Sequence, residues 1–274
     1  MELASDDLSY IRKMLQDRSA IFLEDEKDYL IHSRLDPLAK ELGCATLEEF
    51  VSKLRASPFG LMHKRAVEAM TTNETSFFRD LNPFNALRET VLPELIEKNK
   101  AKKTLNIWCG ASSSGQEPYS VVFLIKEHFP ELETWNVRFI ATDLSQAMVK
   151  RCQEGKYNQL EVSRGLPAPM LVKFFQKKGM AWQIKDEIRN KIEFREMNLI
   201  ETWLPFPELD LVFLRNVLIY FDVPTKKMII GKIRQTLGPQ SYLVLGGAET
   251  TFNLDESFER VGISGTSFYR LRQQ

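Results

Sequence analysis

Apolar positions recur at spacings of three and four through residues 1–70, at Leu8, Ile11 and Leu15 and again at Leu47, Phe50, Val51 and Leu54. That is the stripe of an amphipathic helix and not the alternation of a strand, so a small helical domain is expected. Lys27 to Leu42 reads as a helix kinked by Pro37, which lacks an N–H and crowds the preceding turn, and ended by Gly43. Another short helix leads to Met70, and the polar Thr71-Thr-Asn-Glu-Thr-Ser76 is too poor in helix formers to extend it. From Asn82-Pro83, an N-cap followed by proline at the first helical position, the pattern changes. Strands are predicted at Leu105–Cys109, Val137–Ala141, Ile192–Glu196, Leu209–Leu214 and Tyr242–Leu245, with helices at Gln116–Phe129 and Pro224–Leu237. This alternation predicts an α/β fold with a doubly wound, mainly parallel sheet. Phe258–Gly262 and Thr266–Leu271 would add an antiparallel edge pair. The rhythm breaks over about residues 156–191, where Lys173–Gly179 and Ala181–Lys185 can form a hairpin turning near Gly179, an inserted small β lobe. The expected division is a helical domain over 1–72, a linker over 73–82 and an α/β domain over 83–274.

The 274 residues carry 37 Lys+Arg against 37 Asp+Glu, and a net charge of zero removes the bulk attraction of a dedicated nucleic-acid or membrane-surface binder. No apolar run approaches the roughly 18 residues needed to span a bilayer, and the acidic start, Glu2 with Asp6 and Asp7, is unlike a signal peptide. A soluble, cytoplasmic protein without membrane insertion is expected, and a monomer. Three cysteines, Cys44, Cys109 and Cys152, share no metal-ligand spacing, so neither disulfides nor a metal site is expected. His32, His63 and His128 read as partly exposed residues of helix surfaces, and the scattered methionines as packing.

Open α/β sheets bind ligands at the carboxyl ends of their strands. The loop after the first strand is Cys109-Gly-Ala-Ser-Ser-Ser-Gly-Gln-Glu117, whose two glycines permit a tight turn but lack the G-x-G-x-x-G spacing of dinucleotide binders. It can equally be a strand-to-helix turn with Ser114-x-x-Glu117 as a capping box. Asp143, at the end of the second strand, can accept both ribose hydroxyls of a nucleoside or cap the next helix. Asn198 and Asn216 stand beyond two further strands, and several polar residues at successive strand ends describe a lined pocket.

Four motifs in order, Thr71-Thr-Asn-Glu-Thr-Ser-Phe-Phe-Arg79, Trp108-Cys-Gly-Ala-Ser-Ser-Ser-Gly-Gln-Glu-Pro-Tyr-Ser120, Ala141-Thr-Asp143 and Leu214-Arg-Asn-Val-Leu-Ile-Tyr-Phe221, resemble the CheR-type chemotaxis receptor methyltransferases. The resemblance covers nearly the whole chain, including the helical domain and the inserted lobe. It departs from the family pattern at Ser114, usually Thr, and at Gln116, usually Glu. It implies methyl transfer from S-adenosylmethionine to glutamate side chains on the cytoplasmic helical bundle of methyl-accepting chemoreceptors, leaving S-adenosylhomocysteine and a γ-methyl ester. By the same resemblance, Asn73, Thr75, Arg79, Glu117, Asp143, Asn198, Leu199, Arg215 and Asn216 contact the cofactor, and Arg79 and Tyr220 serve the chemistry. The helical domain would dock the receptor, with Lys27, Arg34 and Lys40 offering positive charge, although residues 1–70 hold 10 Lys+Arg against 13 Asp+Glu.

The residues can supply that chemistry. A glutamate is ionised at pH 7 and needs no general base, so alignment of oxygen, methyl carbon and sulfur, with water excluded, can do most of the work. Arg79 is suited to clamping a carboxylate, and Tyr220 to orienting the incoming one. The competing readings are a methyltransferase with another substrate and a non-catalytic module that senses S-adenosylmethionine.

Overall fold

The computed structural model describes residues 3–203 and 205–272. Two compact units emerge, one from residues up to Thr72 together with Tyr220–Thr225, the other from Asn73–Ile219 and Lys226 onward.

The first unit contains helices α1 (Ser5–Ser19), α2 (Asp28–Glu41), α3 (Leu47–Ala56) and α4 (Leu61–Met70). Their apolar stripes meet at Ile11, Leu15, Ile31, Leu35, Phe50, Val51, Leu54 and Ala66, all fully buried. Thr46 caps α3 by accepting from the Glu49 N–H, Pro37 lies inside α2, and Gly43 takes φ +74° just past that helix. Two polar side chains find partners at helix ends here, and His63 departs from the expected partial exposure. His63 is buried, with Nδ1 accepting from the Gly60 N–H and Nε2 3.0 Å from the Leu54 carbonyl. Arg34 donates to the Met70 and Thr71 carbonyls at the end of α4 and to Thr72 Oγ1. Lys27 is paired with Glu24. Of the three cations assigned to docking, Arg34 is therefore held within its own unit.

The second unit starts with α5 (Asn82–Ala86), a π-helical turn over Leu87–Val91, and α6 (Leu92–Asn99). The helix begins one residue earlier than expected, with Leu81 and not Asn82 at the cap position. There follow β1 (Thr104–Gly110), α7 (Gln116–His128), β2 (Asn136–Asp143), α8 (Gln146–Glu154), the lobe, β6 (Glu193–Glu196), β7 (Leu209–Leu214), α12 (Val223–Thr236, of which the part from Lys226 belongs here), β8 (Leu237–Leu245), β9 (Phe258–Ile263) and β10 (Thr266–Leu271). The lobe comprises β3 (Lys156–Tyr157), α9 (Gln159–Ser163), α10 (Ala168–Phe174), β4 (Phe175–Lys178), β5 (Ala181–Ile184) and α11 (Asp186–Arg189). Among the described residues the main sheet has the order β6-β2-β1-β7-β8-β10-β9, parallel from β6 to β8 and antiparallel at β10 and β9. Strands buried on both faces read as continuous apolar runs, and Leu209–Leu214 is buried at every residue.

The lobe is a second, antiparallel sheet, β3-β5-β4, with the anticipated hairpin at Gly179. It is fixed to the main core by aromatic contacts: Phe174 stacks on Phe123 at 4.8 Å, and Tyr157 meets Phe77 edge-on at 5.1 Å. Met180, at the hairpin tip, is 93% exposed and does not pack as expected of the methionines. Among the described residues no helix is long and apolar enough to cross a membrane.

Candidate functional site at the carboxyl ends of the strands

Parallel register sets the carboxyl ends of β6, β2, β1 and β7 side by side, so residues distant in sequence share one rim. Asn198 and Leu199 follow β6, Asp143 ends β2, the glycine loop follows β1, and Arg215 with Asn216 follow β7. The β1 loop must lie close to its neighbours: a Cβ on Gly110 would sit 2.8 Å from Leu214 Cδ1. It turns through left-handed backbone at Ala111, Ser113 and Gly115. Asp143 pins it, since one carboxylate oxygen accepts from the Ser113 N–H at 2.7 Å and the other from the Ser145 N–H at 2.9 Å. The cap of α8 is Ser145, whose Oγ accepts from the Met148 N–H, so Asp143 does not act as the helix cap. Below the loop, the Tyr157 hydroxyl donates to the Ser114 carbonyl.

The capping box that Ser114-x-x-Glu117 could have made does not form. Gly115, at φ +92°, occupies the cap position of α7, and Ser114 Oγ donates to Gln116 instead. Glu117 is thereby left to a long-range partner, accepting from Arg215 Nη1 at 2.6 Å. Arg215 Nη2 donates to Asp80 at 2.7 Å and to the Arg79 carbonyl at 3.3 Å. The Arg215 side chain is 1% exposed. Burial disfavours its charge, but the Glu117 and Asp80 carboxylates together offset that, and the guanidinium is held above its ordinary pKa. Cys109, beneath Glu117, is pushed well up by burial and by that carboxylate, so its thiol stays protonated.

The segment 73–81 is stapled to this cluster at both ends. Ser113 Oγ donates to the Asn73 carbonyl at 2.8 Å, Asp80 takes the Arg215 bond, and the Phe78 N–H donates to Ser120 Oγ. Arg79 lies between, half-buried, donating to the Glu74 carbonyl, while the Glu74 carboxylate pairs with Arg164. Thr75 is half-buried on the same segment. Phe78, Asp80, Leu81, Ala111, Ser113 and Asn216 all have positive φ, which makes them six of the eleven such non-glycine residues among those described. Strain of this kind, concentrated in three neighbouring loops, is the mark of a functional site held by its surroundings.

On the β6 side Asn198 bonds Glu201 and the Ile200 N–H, and Lys232 donates to the carbonyls of Leu199, Ile200 and Glu201, fixing that turn. Tyr220 ends a short 3-10 turn and groups with the helical unit, its carbonyl accepting from the Phe22 N–H. Glu249, which the sequence reading passed over, accepts from the backbone N–H groups of Asn216, Gly246 and Ile219. The rule that singled out Asp143, an acid just beyond a strand, could have found it. Asp80 carries no such local signal, because its partner Arg215 lies far along the chain.

The family model described as CheR methyltransferase, SAM binding domain, matches residues 73–266, and CheR methyltransferase, all-alpha domain, matches residues 6–71. The chain belongs to the CheR methyltransferase family. It is 39% identical over 99% of its length to "Chemotaxis protein methyltransferase 1" of Pseudomonas aeruginosa, covering all of that protein. It is 38% identical to "Chemotaxis protein methyltransferase Cher2" of Pseudomonas putida, over 97% of this chain and 98% of the other. "Chemotaxis protein methyltransferase" of Vibrio parahaemolyticus is 36% identical, over 95% and 94%. As a CheR methyltransferase, the protein uses S-adenosylmethionine as methyl donor in chemotaxis adaptation.

The residues fit that cofactor. The Asp143 carboxylate, at the end of β2, is the kind of double acceptor that a ribose diol requires, and the β1 loop brings backbone to close range. Among the described residues no group of His, Cys, Asp and Glu could hold a metal ion.

Proposed function

We propose that this methyltransferase esterifies the γ-carboxylates of glutamates on the cytoplasmic helices of chemoreceptors. The observation that carries the reading is the double staple of segment 73–80, by Ser113 to Asn73 and by Arg215 to Asp80, which ties Arg79 to the rim formed by the glycine loop and Asp143. In this reading Asp143 holds the ribose hydroxyls, Arg79 the methionyl carboxylate, and Asn73, Thr75, Glu117, Asn198, Leu199, Arg215 and Asn216 complete the cofactor pocket. Glu117 keeps lone-pair capacity beyond its Arg215 bond.

When bound, S-adenosylmethionine supplies an electrophilic methyl on a sulfonium, whose transfer to a carboxylate oxygen breaks the C–S bond and leaves a neutral thioether and a neutral ester. No proton has to be removed, so the side chains position and desolvate. Tyr220 orients the incoming carboxylate through its hydroxyl, and the helical unit docks the receptor bundle.

Incubation with methyl-labelled S-adenosylmethionine and a receptor cytoplasmic fragment is expected to yield base-labile label on the receptor. Base-stable label, or label only on small molecules, would reject the reading. Tyr220→Phe is expected to lower kcat while leaving S-adenosylhomocysteine affinity unchanged. The wild-type rate should be flat from about pH 6.5 to 8.5, because an exposed substrate glutamate ionises near ~4.3. A rise through a single ionisation near pH ~7, absent from Tyr220→Phe, would replace orientation by general-base catalysis.

A further inference from the structure

The loop that follows β7 contains Arg215 and Asn216, and Tyr220 follows it in the chain. Its backbone is not self-supporting. Asn216 sits at φ +59°, the left-handed region that asparagine tolerates, and something must accept from its N–H.

Glu249 does so. It lies beyond β8, three residues after Gly246, and is 8% exposed. Its Oε2 accepts from the Asn216 N–H at 2.7 Å and from the Gly246 N–H at 2.7 Å, and its Oε1 from the Ile219 N–H at 3.3 Å. Glu249 is itself anchored, its N–H donating to the Gly246 carbonyl and its own carbonyl accepting from the Tyr269 hydroxyl. A Cβ at Gly246 would lie 2.7 Å from Glu249 Oε2 and 2.9 Å from the Asn216 nitrogen, so residue 246 must be glycine for the carboxylate to reach.

We infer that Glu249 is a positioning residue for methyl transfer, fixing Asn216 for the cofactor through one oxygen and Ile219, the residue before Tyr220, through the other. The inference rests on the roles proposed above for Asn216 and Tyr220. A carboxylate is the right group because it can accept at both oxygens, whereas an amide accepts at one and presents N–H at the other.

The two oxygens can be separated by substitution. Glu249→Gln keeps an acceptor for the two 2.7 Å bonds and turns its NH2 toward Ile219. It is expected to bind S-adenosylhomocysteine within about threefold of wild type and to lose kcat about tenfold, the scale of one hydrogen bond to a charged group. Glu249→Ala is expected to lose about tenfold or more in S-adenosylhomocysteine affinity, measured by calorimetry, as well as kcat. A Glu249→Gln enzyme with unchanged kcat overturns the inference, whether or not Glu249→Ala folds. So does a folded Glu249→Ala protein with wild-type affinity and only a lowered Tm, because that is what a merely structural tie would produce. The affinity readout does not depend on the methylated substrate. Tyr220→Phe assayed in parallel shows separately whether the assignment of Tyr220 stands.

Discussion

Strand β7 has a buried charge cluster at each end, and the two are built differently. Near its start, Asp210 accepts from Lys98 Nζ at 3.0 Å, Asn99 Nδ2 at 2.9 Å and the Asn106 N–H at 2.9 Å, all from regular elements or their ends. Just past its other end, Arg215 binds Glu117 and Asp80, its Nε is buried without a hydrogen-bond partner, and the loops around it hold left-handed residues. One cluster is satisfied, with Lys103 and Gln240 the left-handed residues near it, and the other is under-satisfied and set among six. In open α/β sheets ligands bind in the crevice outside the carboxyl ends of the strands, which is the end where most of the left-handed residues gather.

The largest effect should come from Arg215→Met. Removing the cation leaves Glu117 buried and uncompensated, at about 3–5 kcal/mol of stability, and S-adenosylhomocysteine binding should disappear. The pair Arg215→Met with Glu117→Gln removes the stranded charge and should recover much of the stability but not the binding. If calorimetry shows binding returning along with Tm, the carboxyl-end cluster is only packing and the contrast fails.

Asp143→Ala comes next. Loss of its charge-assisted bonds should weaken S-adenosylmethionine and S-adenosylhomocysteine equally, by about 1.5–3 kcal/mol. Unequal losses would place the carboxylate near the methyl group instead of the ribose. Asp210→Ala, at the opposite end, should cost about 1–3 kcal/mol in denaturant unfolding, because it strands buried donors. Its S-adenosylhomocysteine affinity should equal that of wild type, and any substantial loss would mean that the two ends of β7 are coupled.

The smallest effect over the working pH range concerns the groups beneath the loop. Burial raises the pKa of the Cys109 and Cys152 thiols and of the Tyr119 and Tyr157 hydroxyls. Their unfolded counterparts ionise near ~8.5 and ~10. The unfolded chain therefore releases these protons first, and stability that is fully present below pH ~8 erodes above ~9, being lost as pH climbs toward the raised native values. Tm measured from pH 7 to 10.5 should show a plateau and then a fall. A fall beginning below pH 7.5 would point to other groups.

Much of this protein was legible in its residue pattern, for a local reason. Helical stripes and apolar runs are written in neighbouring residues, so β7 was read with its observed limits and the Gly179 hairpin was found within the lobe. Asp143 was legible as well, because its place at a strand end is a local property. Where a local reading failed, a distant partner had outcompeted the near one. Ser114-x-x-Glu117 is a sound capping box on paper, but Gly115 takes the cap and Glu117 turns to an arginine 98 residues away.

The sequence by itself determined the alternation of strand and helix, the two glycines of the β1 loop and the four motifs that match the family, since each depends on residues within reach of one another along the chain. Only the tertiary structure decided that Arg215 meets Glu117 and Asp80, that Glu249 holds Asn216 and Ile219, that His63 and Arg34 turn inward, and that Tyr220 groups with the helical unit. The contacts of Arg215 and Glu249 depend on strand order, and those of His63 and Arg34 on helix packing. The sequence β6-β2-β1-β7-β8 across the sheet brings carboxyl ends together regardless of their separation in the chain, and no periodicity encodes which ends will be neighbours.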